Sequence, residues 1–388
     1  MSQYLLLERI KVQNANAVSS FTWGFPSITH FLGFTHNLNR KLQKNNDFKK
    51  IGLNGCVVIA HQQNVLTYKD SYLNRFTQVK SSHYLGLTFD EGRLRDPAIN
   101  EEAKMNMTVS LLIPVEGYLG GNHEQFLDFV RNSCFLQRLA GGTVLDIKNS
   151  ELIDLSEETN LRPLRNKLLP GFVLQDRSNY LEKHFLNLQK DNPDAVLLDA
   201  WFDFIALKQT ARPNCELIDK YFEKKSIDSE QMFELNKIWI EHKSIPYNKN
   251  ELPEKIEEYF KEQKDKLDTA LFNQWKEYTS PDKKTAANWE YEKKPEKGFL
   301  IPIMTGYKAI SEIFPAGEID GARDIETDLC FVEAVHSVGE WQSVHRLKLA
   351  EQWEKSVWNY TYEEDWYLCK QNTELKTEKD ETSDDVYN

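Results

Sequence analysis

The chain has 388 residues, of which 40% are hydrophobic, 28% charged and 12% aromatic, with a formal net charge of -12; this composition excludes the disordered, collagen-like and disulfide-stapled classes. The length exceeds one ordinary domain and fits two or three packing units of roughly 100 to 200 residues each. Apolar runs such as Leu111 to Val115 fall far short of the ~20 residues that span a bilayer, and Glu8 and Arg9 interrupt the opening before a signal-peptide core is complete, so the expectation is a cytoplasmic protein with no membrane partner.

The run Tyr4 to Gln13 alternates from Leu6 onward, with Arg9, Lys11 and Gln13 on one face and Ile10 and Val12 on the other, which predicts a half-buried strand. Pro26 and Ser27 open a predicted helix with Ile28, Phe31, Leu32, Leu38 and Leu42 at helical spacing. Ile51 to Tyr68 reads as a strand or hairpin, and Met107 to Val115 as a further strand. His123 to Ala140 carries a helical stripe of Phe126, Phe129, Val130, Cys134 and Leu139, stopped by Gly141 and Gly142 before Thr143 to Ile147 extends again. The succession strand, helix, strand, strand, helix, strand is the split βαβ order, ferredoxin-like or RNA-recognition-like, and it predicts an α+β fold whose sheet keeps one open face. Between the second and third strands, Lys69 to Met105 is long, polar and basic, with Arg75, Lys80, Arg93, Arg95 and Lys104. Such an excursion is either a mobile surface loop or a protruding hairpin that grips a ligand.

Beyond residue 150 the pattern turns helical, from Ser178 to Leu207 and from Asp228 to Thr279, with Ile256, Phe260, Leu267, Leu271 and Trp275 as a core stripe and Glu257/Lys261 and Glu262/Lys266 as i,i+4 pairs. Ser280 to Lys297 is polar and reads as a linker. Gly298 to Met304 and Leu329 to Val335 are β-like and are expected to complete a sheet begun earlier. The last packed stretch places Trp353, Trp358, Tyr360, Tyr362, Trp366 and Tyr367 among Glu354, Glu363, Glu364 and Asp365. Aromatics can stack bases, but those carboxylates repel phosphate, so packing or a protein interface is the expectation. The expected domains are 1–150, an RNA-recognition-like core that includes the excursion at 69–105; 151–297, mainly helical; 298–350, a returning β segment; 351–370, aromatic and acidic; and 371–388, a disordered tail.

Charge is graded along the chain. Residues 1–123 hold 13 basic and 9 acidic side chains, net +4, whereas residues 299–370 hold 6 and 13, net -7. A polyanion would therefore favour the N-terminal third. The five cysteines are scattered with no CxxC pair, which removes zinc-ribbon and disulfide readings. Nucleophile-elbow, phosphate-loop, dinucleotide-binding and zinc-protease motifs are missing, and no cofactor or metal is expected. His30 and His36 are six residues apart, a spacing that does not put two ligands on one helical face.

One segment stands out. Gln13-Asn-Ala-Asn-Ala-Val-Ser-Ser20, ahead of Phe21-Thr-Trp-Gly-Phe-Pro26, mixes amides and hydroxyls with small residues. The backbone of such a loop approaches a ligand closely while neutral donors and acceptors reach base edges, sugar hydroxyls or phosphates, and Trp23 and Phe25 add flat faces. The competing reading is a loop whose Asn and Ser side chains cap the helix that follows.

The opening Leu5 to Ser20 with Thr22-Trp-Gly-Phe-Pro26, and the later blocks Gly298 to Ser311, Ala316 to Ile319, Arg323-Asp324 and Phe331 to Trp341, resemble the second subunit of the Csy complex, the type I-F CRISPR surveillance assembly, a Cas-five-like family. The resemblance covers residues 4 to about 346. It implies a non-enzymatic subunit with a modified RNA-recognition fold and a protruding thumb, here Lys69 to Met105. Such a subunit holds the 5′ handle of the guide RNA, pairs with the large subunit, caps the filament of backbone subunits and sits near the point where target double-stranded DNA is engaged. Carried onto this chain and chosen by side-chain chemistry, Gln13, Asn14, Asn16, Ser19, Ser20 and Trp23 would face the handle, joined by Tyr307, Arg323, His336, Trp341 and Arg346 from the second block. The alternative is a metal-independent endoribonuclease that processes precursor RNA, for which His30, His36, His336 and Tyr307 are the candidate acids and bases.

Overall fold

Strand β1, Gln3–Asn16, shows how one sequence serves two cores. Leu5 and Leu7 enter one apolar cluster and Tyr4 and Leu6 the other, so the first half of the strand is buried on both faces. The register then slips between Leu7 and Ile10, with Arg9 at φ +50°, and the alternation resumes out of phase: Ile10 and Val12 join the first cluster while Lys11 and Gln13 are exposed. The computed structural model describes residues 3–19, 22–70, 73–80, 89–90, 93–94, 99–212, 216–225, 229–244, 252–263, 288–322 and 325–371.

After β1 come a short ladder, β2 Val18–Ser19 with β3 Thr22–Trp23, then helix α1, Ile28–Gln43, and strands β4, Gly52–Leu53, and β5, Val57–Val65. The basic excursion contains nested antiparallel ladders: β6 Tyr68–Asp70 with β7 Leu73–Arg75, β8 Thr77–Lys80 with β11 Ile99–Glu102, and β9 Phe89–Asp90 with β10 Arg93–Leu94. Strand β12, Lys104–Glu116, returns to the core, followed by helix α2, His123–Phe135, the two-residue β13, Arg138–Leu139, and β14, Gly142–Asp154. Helix α1 ends on Arg40 and Lys41, cations that suit the negative end of its dipole. It buries Phe31, Leu38 and Leu42 against the same sheet face as Phe126 and Val130 of α2.

Helix α3, Glu158–Leu168, buries Leu161, Leu164 and Leu168 on the opposite face, together with Trp353. Strand β15, Phe172–Asp176, then links two halves of the sheet by pairing with β5 and with a later strand. Helices α4, Ser178–Asp191, and α5, Leu197–Ile205, pack Leu181, Trp201 and Phe204 with Val338. These three helices and residues 296–388 belong with residues 1–205 in one compact unit. The grouping differs from the helical region expected at 151–297: α3 buries its apolar side against the sheet, and α4 and α5 pack on each other and together on Val338 of the sheet.

The second unit, residues 206–295, contains β16 Gln209–Arg212, α6 Glu216–Lys225, α7 Glu230–Ser244, α8 Glu254–Glu262 and β17 Asn288–Tyr291. Its core is Phe222, Met232, Leu235, Trp239, Ile256 and Phe260. Glu257 and Lys261 form the expected i,i+4 pair at 2.8 Å, while Leu267, Leu271, Trp275 and the pair Glu262/Lys266 involve positions outside the described residues. The linker expected at 280–297 carries β17, which pairs with β16.

The chain finishes with β18 Leu300–Ala309, β19 Val332–Ser343, a 3₁₀ turn at Val344–Arg346, α9 Ala350–Lys355, β20 Trp358–Glu363 and β21 Trp366–Gln371. The main sheet runs β13-β14-β1-β12-β5-β15-β19-β18-β21-β20, with β4 also on β12, and the fold is mixed α+β around this antiparallel platform. The late strands complete the earlier sheet, as their apolar runs predict. Trp353 and Trp358 are fully buried, and the Trp358 indole N–H donates to the Leu174 carbonyl at 3.0 Å, so those aromatics pack. Gln371 is a correction to the tail expected from 371: it is 6% exposed, its amide donates to the carbonyls of Leu174 (2.9 Å) and Ser356 (2.8 Å), and its carbonyl accepts the Asp176 N–H (2.9 Å). The rest of that segment lies outside the described residues.

Trp358 therefore pins the last hairpin to β15. Trp358→Ala should remove about 3 to 5 kcal/mol of stability, the usual range for deleting a buried large aromatic, read as a lower denaturation midpoint. A loss under about 1 kcal/mol would mean that the hairpin is held by something else.

Candidate nucleic-acid interface

The segment read as a loop is largely a strand. Gln13, Asn14 and Asn16 lie in β1, where a second irregularity between Val12 and Ala15 sets Asn14 at φ +57°. Asn tolerates that left-handed backbone better than most residues. The Asn14 N–H donates to Asn106 Oδ1 at 3.1 Å, and the Asn14 side chain is exposed. Asn16 spends its amide locally: Nδ2 donates to the Val18 carbonyl at 2.8 Å and Oδ1 accepts the Val18 N–H at 3.1 Å. This is the self-bonded turn that Asn favours. Ser19 is buried, and Ser20 lies outside the described residues. Trp23 is 55% exposed, with its ring edge-on to Phe76 at 4.2 Å.

The two sequence blocks meet. His336 Nε2 lies 3.4 Å from the Ser19 carbonyl, and Trp341 packs edge-on to Phe25 with ring centroids 4.8 Å apart. Between them is a cleft of about 220 Å³ lined by Ser19, Trp23, Phe25, Gln63, Phe299 and Trp341 among others. Tyr307 lies elsewhere on β18, tilted against Tyr367, and Arg346 is exposed in the 3₁₀ turn. Arg323 and Arg95 lie outside the described residues. Lys80 lies in β8 and Arg93 in β10, while Arg75 is exposed and Lys104 half-buried at the base of the excursion.

The structure adds side chains that the sequence reading did not select. On the half of the platform where Lys11 and Gln13 face outward, Gln62 and Asn64 of β5 and Asn106 and Thr108 of β12 line a hollow of about 330 Å³ with Lys11, Gln13 and Leu145. Their neighbours Val12 and Met107 turn to the helix-covered core. The hollow is dominated by neutral donors and acceptors. Its one cation, Lys11, lies 3.3 Å from Asp146. The available signal was the polar run Gln62-Gln63-Asn64 and the alternation of Asn106, Met107 and Thr108, which become a patch only once these strands are known to be neighbours.

His61 holds this region in register. Its Nδ1 lies 2.8 Å from the Pro170 carbonyl, to which it can only donate, so Nε2 accepts the Ser110 hydroxyl at 2.7 Å; Ser110 Oγ in turn accepts the Arg9 N–H at 2.8 Å. Burial pushes the His61 pKa below its ordinary 6.5, with the Arg9 charge adding to that and the hydrogen bond to Pro170 opposing it. The other ring candidates have separate surroundings. His30 is bonded to Ser27 Oγ at 2.6 Å and its pKa is lowered by burial, His336 lies edge-on to Trp201, and His36 is exposed on α1. Among the described residues no cluster of three or more His, Cys, Asp or Glu is arranged to hold a metal, and no helix is long and apolar enough to cross a membrane.

Asn16→Ala should cost about 1 to 3 kcal/mol, because it removes two bonds and strands the Val18 N–H, whereas Asn14→Gly should change stability little; equal losses would contradict the different roles of the two amides. For His61 the depressed native pKa means that the unfolded chain binds the extra proton first. Stability is thus complete above about pH 6.5 and lost as pH falls below it toward the native value. Denaturation followed from pH 8 to pH 5 should show this slope, and His61→Gln should flatten it.

The sequence model of the family described as CRISPR-associated protein (Cas_Csy2) matches residues 5–223 and 220–369. The chain is also 30% identical over 358 residues, covering 88% of each protein, to the CRISPR-associated protein Csy2 of Pseudomonas aeruginosa (strain UCBPP-PA14). The family match runs through the strands that build the polar hollow and through the late strands that frame the adjoining cleft. The chain belongs to the Csy2 family, the second subunit of the type I-F CRISPR surveillance complex.

Proposed function

We propose that the chain is a non-catalytic, cytoplasmic subunit that binds the 5′ handle of the guide RNA, pairs with the large subunit and caps the backbone filament where target double-stranded DNA is engaged. The observation that carries the reading is the neutral hollow on the open half of the sheet, where Gln13, Gln62, Asn64, Asn106 and Thr108 converge. A defined single-stranded RNA segment is read by splayed bases, aromatic stacking and hydrogen bonds to base edges and 2′-hydroxyls, and those side chains supply the hydrogen bonds. Trp23 offers an exposed ring. The strand order β14-β1-β12-β5, with α1 and α2 on one face, agrees with a split βαβ, RNA-recognition-like platform, whose open face suits such a ligand.

The nested ladders from Tyr68 to Glu102 fit a gripping thumb better than a structureless loop, with Arg75 and Lys104 near its base and Lys80, Arg93 and Arg95 assigned to its nucleic-acid contacts. The assignment of Asn14, Ser20, Tyr307, Arg323, His336 and Arg346 to RNA belongs to the same proposal. For Asn16, Ser19 and Trp341, whose side chains are turn-bonded or buried, the contribution is to shape the binding surface. The acidic side chains of the C-terminal third, as distinct from its RNA-facing Tyr307, Arg323, His336 and Arg346, face away from the RNA or toward basic partner subunits.

In the assembled complex, Gln13→Ala combined with Trp23→Ala should weaken guide retention by about 10- to 100-fold, since one stacked base alone contributes about 1 to 3 kcal/mol; unchanged retention would contradict the proposal. Incubating the purified chain with precursor RNA in EDTA should leave the RNA intact. Site-specific cleavage that is lost on His336→Ala or Tyr307→Phe would establish the endoribonuclease instead.

A further inference from the structure

Strand β15 pairs with β5 only at Phe172/Ala60 and Val173/Ile59. Beyond that point β5 continues from His61 to Val65 with β12 on one edge and, among the described residues, no strand on the other. The two halves of the sheet part there. The gap is a cleft of about 280 Å³ lined by Ala60, His61, Gln62, Gln63, Phe172, Phe299 and Trp341. Phe299 is 66% exposed and Phe172 47% exposed.

We propose that this cleft takes one unstacked nucleobase of the guide handle. The inference rests on the handle-binding reading above and assigns it a specific slot. The walls combine flat apolar rings with two glutamine side chains that make no hydrogen bond to another described residue. A base satisfies both features, its π-face on the phenylalanine rings and its edge on the amides. An aliphatic side chain from a protein partner would desolvate the two amides without pairing them, an unfavourable exchange. His61 completes the wall in a fixed orientation, because both ring nitrogens are engaged by Pro170 and Ser110. None of the lining residues carries a formal charge when His61 is neutral, so the slot suits a base rather than a phosphate. Its volume lies just below the range of about 300 to 1,000 Å³ usual for small-molecule pockets, the size for a single planar group and too small for a base pair. The slot shares Gln62 with the polar hollow and Gln63, Phe299 and Trp341 with the cleft beside Trp23, so a strand crossing the open half of the platform can drop one base into it while its neighbours stay outside.

The test uses the full chain in its assembled complex, with synthetic guides that carry 2-aminopurine singly at each handle position. One position should change its fluorescence on complex formation in a way that Phe299→Ala, and separately Gln62→Ala with Gln63→Ala, reverses. Guide affinity should fall about 5- to 100-fold in these variants, with the salt dependence of binding unchanged because no phosphate contact is removed. If handle positions respond to assembly but none is sensitive to either variant, the slot is wrong and handle binding stands. If every position keeps the fluorescence of free guide, the handle-binding reading fails and takes the slot with it. Loss of subunit assembly in Phe299→Ala without guide would make the occupant a protein side chain and overturn the proposal.

Discussion

The architecture depends on one hydrogen-bonded relay across three strands. His61 of β5 accepts from Ser110 of β12, and Ser110 accepts the backbone N–H of Arg9 in β1, at the place where β1 slips register. A period-two strand that kept its phase would have continued to bury both faces or would have turned its second half inside out. The irregularity at Arg9 instead lets residues 4–7 feed both apolar clusters and residues 10–13 feed only one. β5 makes the same transition around His61, where its pairing with β12 shifts between Ala60 and Gln62. The polar half of the platform exists because these two irregularities coincide and Ser110 joins them.

That arrangement reconciles an acidic chain with the nucleic-acid partner proposed for it. A net charge of -12 argues against non-specific coating of a polyanion. The open half of the sheet does not need such attraction, since it presents amides and hydroxyls in fixed positions on rigid strands. Neutral readout gives up long-range steering and gains discrimination, because a site built of unpaired donors and acceptors penalises any ligand that fails to match them. Membership of the Csy2 family fits the proposed role without steering: a subunit of such an assembly would meet RNA in the company of other proteins.

Much of the platform was legible in the sequence. The alternation of Ile10, Lys11, Val12 and Gln13 and the stripes of α1 and α2 are local patterns, and the order of these elements constrained the sheet. The parts that escaped are those fixed by distant partners. Strand β15 is only five residues long, and its role appears only through β5 and β19. Gln371 reads as tail because it is polar, yet its amide bridges Leu174, Ser356 and Asp176. Asn16 shows the opposite limit. The same side chain was compatible with ligand contact or with a turn, and the choice rests on a bond to a residue two positions away. Gln62, Asn64 and Asn106 went unselected because an amide on a strand has no local signature; it becomes part of a site only when neighbouring strands bring others beside it.

The most direct test of the account is cross-linking of a guide carrying 4-thiouridine in its handle to the chain within the assembled complex, with the modified peptides sequenced. The account predicts adducts on the open half of the platform, in the segments around Gln13, Gln62 and Asn106. Adducts confined to the acidic stretch between residues 325 and 365, with none on those three strands, would contradict it.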